Sequence, residues 1–204
     1  MHKLALLAVA MLALTSAQAA QVSTDPKQAP AGAYRVEPRH TQVLFAISHF
    51  GLTDFYGRFE KISGTLNFVP GAPEKSQASI TIDMSSLNVP NSELMTGLAE
   101  PVVFDTAHFA QAHFESKSLT RTGKDTGQMS GDLTLRGVTK PVVFDVTFNG
   151  GEPSPMGGAV YLLGFHATTT IKRSDFGLTS MEWSGFVSDD VKLTIEALFQ
   201  KDKS

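Results

Sequence analysis

The sequence predicts an all-β chain of antiparallel strands, and three observations predict it. Apolar residues recur at every second position through most of the chain beyond residue 34. Gly/Pro-rich polar links punctuate those runs at strand-like intervals. The one stretch with helix-start chemistry is short and ends at a proline.

Each element follows from its own pattern. Val43, Phe45, Ile47 and His49 share one face, with Leu44, Ala46 and Ser48 on the other. Phe55, Gly57 and Phe59 alternate, and Ile62, Gly64, Leu66 and Phe68 resume with slipped parity, which predicts a bulge near Glu60 and Lys61. Ala78, Ile80, Ile82 and Met84 form a third strand, followed by runs over 114–119, 129–135, 142–148, 161–171 and 191–199. About eight strands at this spacing make an antiparallel barrel or sandwich. Between the third and fourth, Asn91, Ser92 and Glu93 offer caps for a short helix through Ala99, which Pro101 stops, and 104–109 predict a further turn.

The links sort into two kinds. Segments 70–76, 121–127 and 149–158 read as plain Gly/Pro turns. HFGLTD after the first strand, the helical insert, RGVTKP after the fifth and the long segment 172–186 are richer. With antiparallel neighbours, those four all fall at one end. One end of the molecule therefore carries the elaborate chemistry.

Bulk composition narrows the partners. A chain of 204 residues with 42% hydrophobic residues suits one domain with a sizeable core. A net charge of −3 removes the electrostatic argument for nucleic acid. Residues 1–19 have secretory-signal anatomy: His2 and Lys3, an apolar run from Leu4 to Leu14, and an Ala17-Gln18-Ala19 cleavage site. The apolar run is about half of what a membrane-spanning helix needs. The absence of cysteine excludes a lipoprotein anchor and fits a periplasmic protein better than a cystine-dependent secreted one. The mature chain is expected to begin at Ala20, with 20–33 a flexible leader and 34–204 the barrel domain. An outer-membrane barrel would need aromatic belts, and one Trp with three Tyr does not supply them, so stable membrane insertion is not expected. A soluble monomer or a small oligomer such as a homodimer is expected instead, with Asp83, Asp145, Lys192 and Glu196 in water.

A soluble barrel of this size either fills itself or holds one small ligand. With 14 phenylalanines the inner wall offers few hydroxyls and suits an acyl or isoprenoid chain. The predicted apolar lining is Phe45, Ile47, Phe59, Ile80, Ile82, Leu133, Leu135, Phe144, Val146 and Phe165. At the elaborate end, parity turns His49, Lys140 and Arg173 inward, where they could hold a head group, and Arg136 and Lys172 outward. The alternative is a solvated Lys140 and an Arg173–Asp175 pair. Gly137 should supply the positive φ of the RGVTKP reversal.

Other chemistries find little support. No histidine pair has HExxH or HxH spacing and there is no cysteine, so no metal site is expected. His40 reads as a structural donor to backbone, and His166 faces outward. There is no GxSxG elbow, and Asp175-Phe176-Gly177 stands without any kinase context, so no catalytic residues and no cofactor are expected.

The chain resembles the YceI-like family of bacterial periplasmic proteins. The matching pieces are YRVEPRHTQVLFAISHFG (34–51), YGRFEKISGTLNF (56–68), FAQAHFES (109–116), GDLTLRGVTKPVVFDV (131–146), IKRSDFGL (171–178) and VSDDVKLTIEA (187–197). The resemblance implies an eight-stranded antiparallel lipocalin-like barrel with helical structure beside its mouth, binding and perhaps transporting a long isoprenoid or fatty-acyl lipid. The readings that remain beside it are a structural or protein-interaction barrel and an enzyme acting on the bound lipid. The family often carries an Arg-Asp pair and then His-Leu in the helical insert. Leu94, Met95, Gly97 and Leu98 stand there, with Ala110 where a proline is frequent, so the head group is expected to be less polar or of different size.

Overall fold

In the computed structural model, which describes residues 22–157, 160–179 and 185–202, eleven strands close into one antiparallel barrel. They are β1 (Gly32–Val36), β2 (Gln42–His49), β3 (Thr53–Phe59), β4 (Ile62–Phe68), β5 (Gln77–Asp83), β6 (Leu87–Asn88), β7 (Gln111–Arg121), β8 (Thr126–Leu135), β9 (Val138–Pro153), β10 (Tyr161–Lys172) and β11 (Val187–Lys201). β1 and β2 lie end to end along β11, pairing with its residues 199–201 and 187–196 respectively. Likewise β4 and β3 run end to end, breaking at Glu60 and Lys61 where the parity slips, and β5 continues through a 3-10 turn into β6. The barrel is thus eight-stranded, as the periodicity predicts.

The strand faces sort as expected. Leu66, Phe68, Phe144, Phe148 and Leu163 are buried, whereas Asp145 and Lys192 are exposed. Glu196 faces outward against His166 Nδ1 at 2.7 Å, and Asp83 lies 3.8 Å from Lys61 Nζ. Among the described residues no helix is long and apolar enough to cross a membrane.

Two expectations need correction. Within 20–33, residues 22–31 do not form a loose leader. Ser23 bridges Gly151 by two backbone hydrogen bonds (3.0 and 2.9 Å), Asp25 caps a 3-10 turn over Pro26–Gln28, and Ala29 is buried. The Tyr34 hydroxyl donates to the Pro30 carbonyl at 2.7 Å, anchoring this segment on the barrel. In addition, 149–158 is no plain turn, because β9 runs on through Pro153 against β10. The signal segment 1–19 and Ala20 lie outside the described residues.

The end opposite the elaborate links is plugged. Phe68 and Phe148 stack at 6.2 Å, Phe165 lies 5.3 Å from Phe148 and 5.8 Å from Phe199, and Tyr34 meets Phe68 edge-on at 6.2 Å. Pairs at these separations add about 0.5–1.5 kcal/mol each beyond area burial. Four of the phenylalanines counted in the sequence, with Tyr34, are spent here as filling, not as wall.

The break between β1 and β2 is an ionic joint. Glu37, 6% exposed, donates its N–H to the Leu198 carbonyl at 2.7 Å. Its carboxylate accepts from Arg39 Nε at 2.7 Å and from the His40 backbone N–H at 3.1 Å, and meets His40 Nδ1 at 2.7 Å. His40 therefore partners a side chain, not the backbone carbonyl that a structural donor suggested. Burial pushes the Glu37 carboxyl up, but the hydrogen bonds and charges of Arg39 and His40 together outweigh it and hold it below its ordinary 4.5. A carboxylate depressed on folding contributes stability that is present above its unfolded value and lost as pH falls through the folded one. Glu37→Gln is expected to cost about 1–3 kcal/mol at pH 7. It should also reduce the stability lost by the wild type below pH 4.5, measured by urea unfolding across that range.

Candidate functional site: a one-ended apolar cavity

The elaborate end opens into a cavity of about 550 Å³. That lies inside the range of about 300–1,000 Å³ typical of small-molecule sites. Its walls are inward residues of β2, β3, β5, β7, β8, β10 and β11, and its roof is the insert between β6 and β7. The insert forms as its sequence predicts: α1 (Ser92–Ala99) begins with the Asn91 side chain accepting from the Leu94 N–H at 2.9 Å. Phe104–Phe109 turn back through hydrogen bonds of His108 and Phe109 N–H to the Asp105 carbonyl.

Helix α1 is held by little. It has eight residues, carries Gly97 in its interior and buries none of its side chains fully. A helix this short is unstable alone, and the glycine costs about 1 kcal/mol more relative to alanine. Leu94 and Leu98, one turn apart, face the void and are only half-buried. An apolar occupant would complete their burial.

The predicted lining divides cleanly. Phe45, Ile47, Phe59, Ile82, Leu133 and Leu135 face the cavity. Ile80, Phe144, Val146 and Phe165 point inward but pack into the core beneath it. Alternation shows which way a side chain points, not how far the void descends, and the phenylalanine layers fill the lower barrel. Sequence reasoning passed over Val43, Leu94, Leu98, Phe104, Leu178 and Leu193. For Val43 and Leu193 the signal was present in strand parity, and for Leu94 and Leu98 in their helical spacing.

Polar groups sit only around the mouth. His49 lines it, its ring 4.3 Å edge-on from Phe50, and pairs across the hairpin with Thr53. Asp54 accepts from Lys192 Nζ at 3.3 Å. Arg173 also lines the cavity, but its Nε donates to the Ser188 carbonyl at 3.1 Å and its Nη1 to the Leu178 carbonyl. It thus braces the β10–β11 link, without the pair to Asp175 considered above. Next to it, the Ser174 hydroxyl and backbone N–H hold the Asp189 carboxyl below its ordinary value, with Arg173 adding its charge.

Neither cation of RGVTKP sits as expected, and neither lines the cavity. Lys140 is opposite Leu133 in register, yet exposed and outside the lining. The β9–β10 pairing ends at Asp145 and Thr168, so no β10 strand flanks Lys140 and its side chain extends to water. Arg136, expected to look out, donates from Nη1 to the Gly177 carbonyl at 3.0 Å and from Nη2 to the Pro101 carbonyl at 2.7 Å. Its φ is 51° and that of Gly137 is 73°, so both are loop residues of a two-residue hairpin turn closed by Leu135 and Val138. Strand parity does not govern them. Gly137 supplies the positive φ as expected, and a Cβ there would meet the Phe109 ring at 2.8 Å. Arg136 is the latch between the insert and the β10–β11 link. Among the described residues no cluster of His, Asp or Glu could hold a metal ion.

Known proteins share this architecture. The model of the YceI-like domain matches residues 34–199. The UPF0312 protein of Ectopseudomonas mendocina (strain ymp) is 35% identical over 175 residues, covering 85% of this chain and 91% of the relative. The crystal structure of Burkholderia cenocepacia BcnA superposes with a TM-score of 0.71 at 25% identity, covering 80% of this chain and 98% of BcnA. A polyisoprenoid binding domain from Saccharophagus degradans, implicated in plant cell wall breakdown, superposes with a TM-score of 0.63 over 85% of this chain and all of that one. At 15% identity that likeness concerns the fold alone. With a matching domain model over most of its length and a barrel of the same build, the chain belongs to the YceI-like family.

Proposed function

We propose that this protein binds the apolar chain of a lipid amphiphile, a polyisoprenoid or fatty-acyl compound, in the cavity beneath α1, and carries or stores it in the periplasm after export. The carrying observation is the one-ended apolar cavity with polar groups confined to its mouth and a half-buried helix over it. Each buried methylene contributes about 0.8 kcal/mol, so ten outweigh a head-group hydrogen bond of about 1.5–3 kcal/mol. The chain therefore sets affinity, and His49, with Thr53 and Asn91 in the same lining, is placed to touch the head. The shared fold with a polyisoprenoid binding domain supports the same reading. Binding without chemistry is the proposed activity, since general acid–base work needs a partner within reach and His49 faces Phe50 and Thr53. Native mass spectrometry of the protein recovered from periplasm tests this. The polypeptide mass should match a chain beginning at Ala20, and the folded protein should carry one apolar molecule. A retained segment 1–19 would refute the export, and a dry barrel the binding.

A further inference from the structure

The cavity is blind, and its depth is uneven. Down β2 the inward residues His49, Ile47, Phe45 and Val43 all line it, whereas on β8 only Leu135 and Leu133 do. Below Leu133 the strand carries Gly131, and a Cβ there would meet the Phe114 ring at 2.6 Å. Phe114 therefore lies across Gly131 and meets Phe144 edge-on at 5.2 Å. Both rings are 9% exposed and pack in one cluster with Leu133 and Ile171, which do reach the cavity.

We infer that the Phe114–Phe144 pair, packed beneath the lining residues Leu133 and Ile171, backs the floor of a chain-length gauge, and that the cavity takes about twelve backbone carbons. The six residue steps from His49 to Val43 span roughly 20 Å along the strand. A strand tilt of about 40° reduces this to roughly 15 Å of depth. An extended carbon chain advances roughly 1.3 Å per atom, from a bond of about 1.52 Å, so roughly twelve carbons fill it. This corresponds to a dodecyl chain or three isoprene units. Carbons beyond that must emerge at the mouth, because the floor and the aromatic plug beneath it close the other end. The inference rests on the proposed binding of an apolar chain and adds its length limit.

Straight-chain fatty acids of eight to eighteen carbons, displacing a fluorescent probe from delipidated protein, test it. Affinity should rise about fourfold per methylene up to about twelve carbons and then level off. Phe144→Ala should move that break to longer chains, and Val43→Phe, at the deepest wall position, to shorter ones. Circular dichroism reports whether each variant folds, and two variants of opposite sign mean that one folding failure leaves the other decisive. An uninterrupted rise to eighteen carbons, or a break that the folded variants leave in place, would overturn the gauge while leaving chain binding intact. No affinity at any length would overturn both.

Discussion

Replacing Arg136 by alanine is expected to loosen the roof of the cavity and destabilise the barrel at once. The guanidinium holds the Pro101 and Gly177 carbonyls, which belong to two links with no strand pairing between them. Each hydrogen bond from a charged donor is worth about 1.5–3 kcal/mol, reduced here by partial exposure, so the total loss should be about 2–3 kcal/mol. Without the latch, α1 has its own marginal helicity and the half-buried contacts of Leu94 and Leu98. Affinity for a twelve-carbon chain should fall about tenfold, or about 1.4 kcal/mol. Most of that should appear as faster dissociation, as is usual among variants of one site. Arg136→Lys should restore little, because one ammonium cannot span two carbonyls as a planar fork does. Stopped-flow ligand release and urea unfolding read both effects. Wild-type release in the alanine variant would mean that the insert is held by something else.

A larger loss of stability is expected at the plugged end. Tyr34 is fully buried, edge-on to Phe68, with Lys201 Nζ 5.0 Å above its ring. Burial, with a smaller contribution from Tyr161, pushes its hydroxyl up to about 12, so it stays a neutral donor to Pro30 throughout the useful pH range. Tyr34→Ala should cost about 3–5 kcal/mol, the scale for an aromatic cavity. Tyr34→Phe keeps the ring and loses one hydrogen bond, leaving the Pro30 carbonyl to water, and should cost about 0.5–1.5 kcal/mol. Thermal unfolding of both variants separates ring from hydroxyl. Because the plug lies at the far end from the mouth, chain affinity of the folded Tyr34→Phe protein should match wild type.

The strands were legible in the sequence because a half-buried sheet imposes a period of two, and the bulge at Glu60 and Lys61 was legible as a slip in it. Helix α1 was legible from Asn91 and Pro101. What escaped was what periodicity does not encode. β1 is only five residues long, and its Tyr34/Val36 alternation is too brief to stand out. The depth of the void depends on how rings such as Phe114 and Phe144 tile across strands. Arg136 and Lys140 were misread for one reason: parity was carried past the ends of regular pairing, into a turn with positive φ and onto a strand end without a β10 neighbour.

Lipid occupancy is tested most directly by the mass difference between the natively folded and the denatured protein after gentle extraction from cells. One non-covalent apolar molecule per chain is expected, recoverable in organic solvent, with its chain occupying the cavity between α1 and the floor backed by Phe114 and Phe144. Equal masses, together with failure of the protein to take up any acyl or isoprenoid chain, would contradict it and leave the barrel a structural or interaction module.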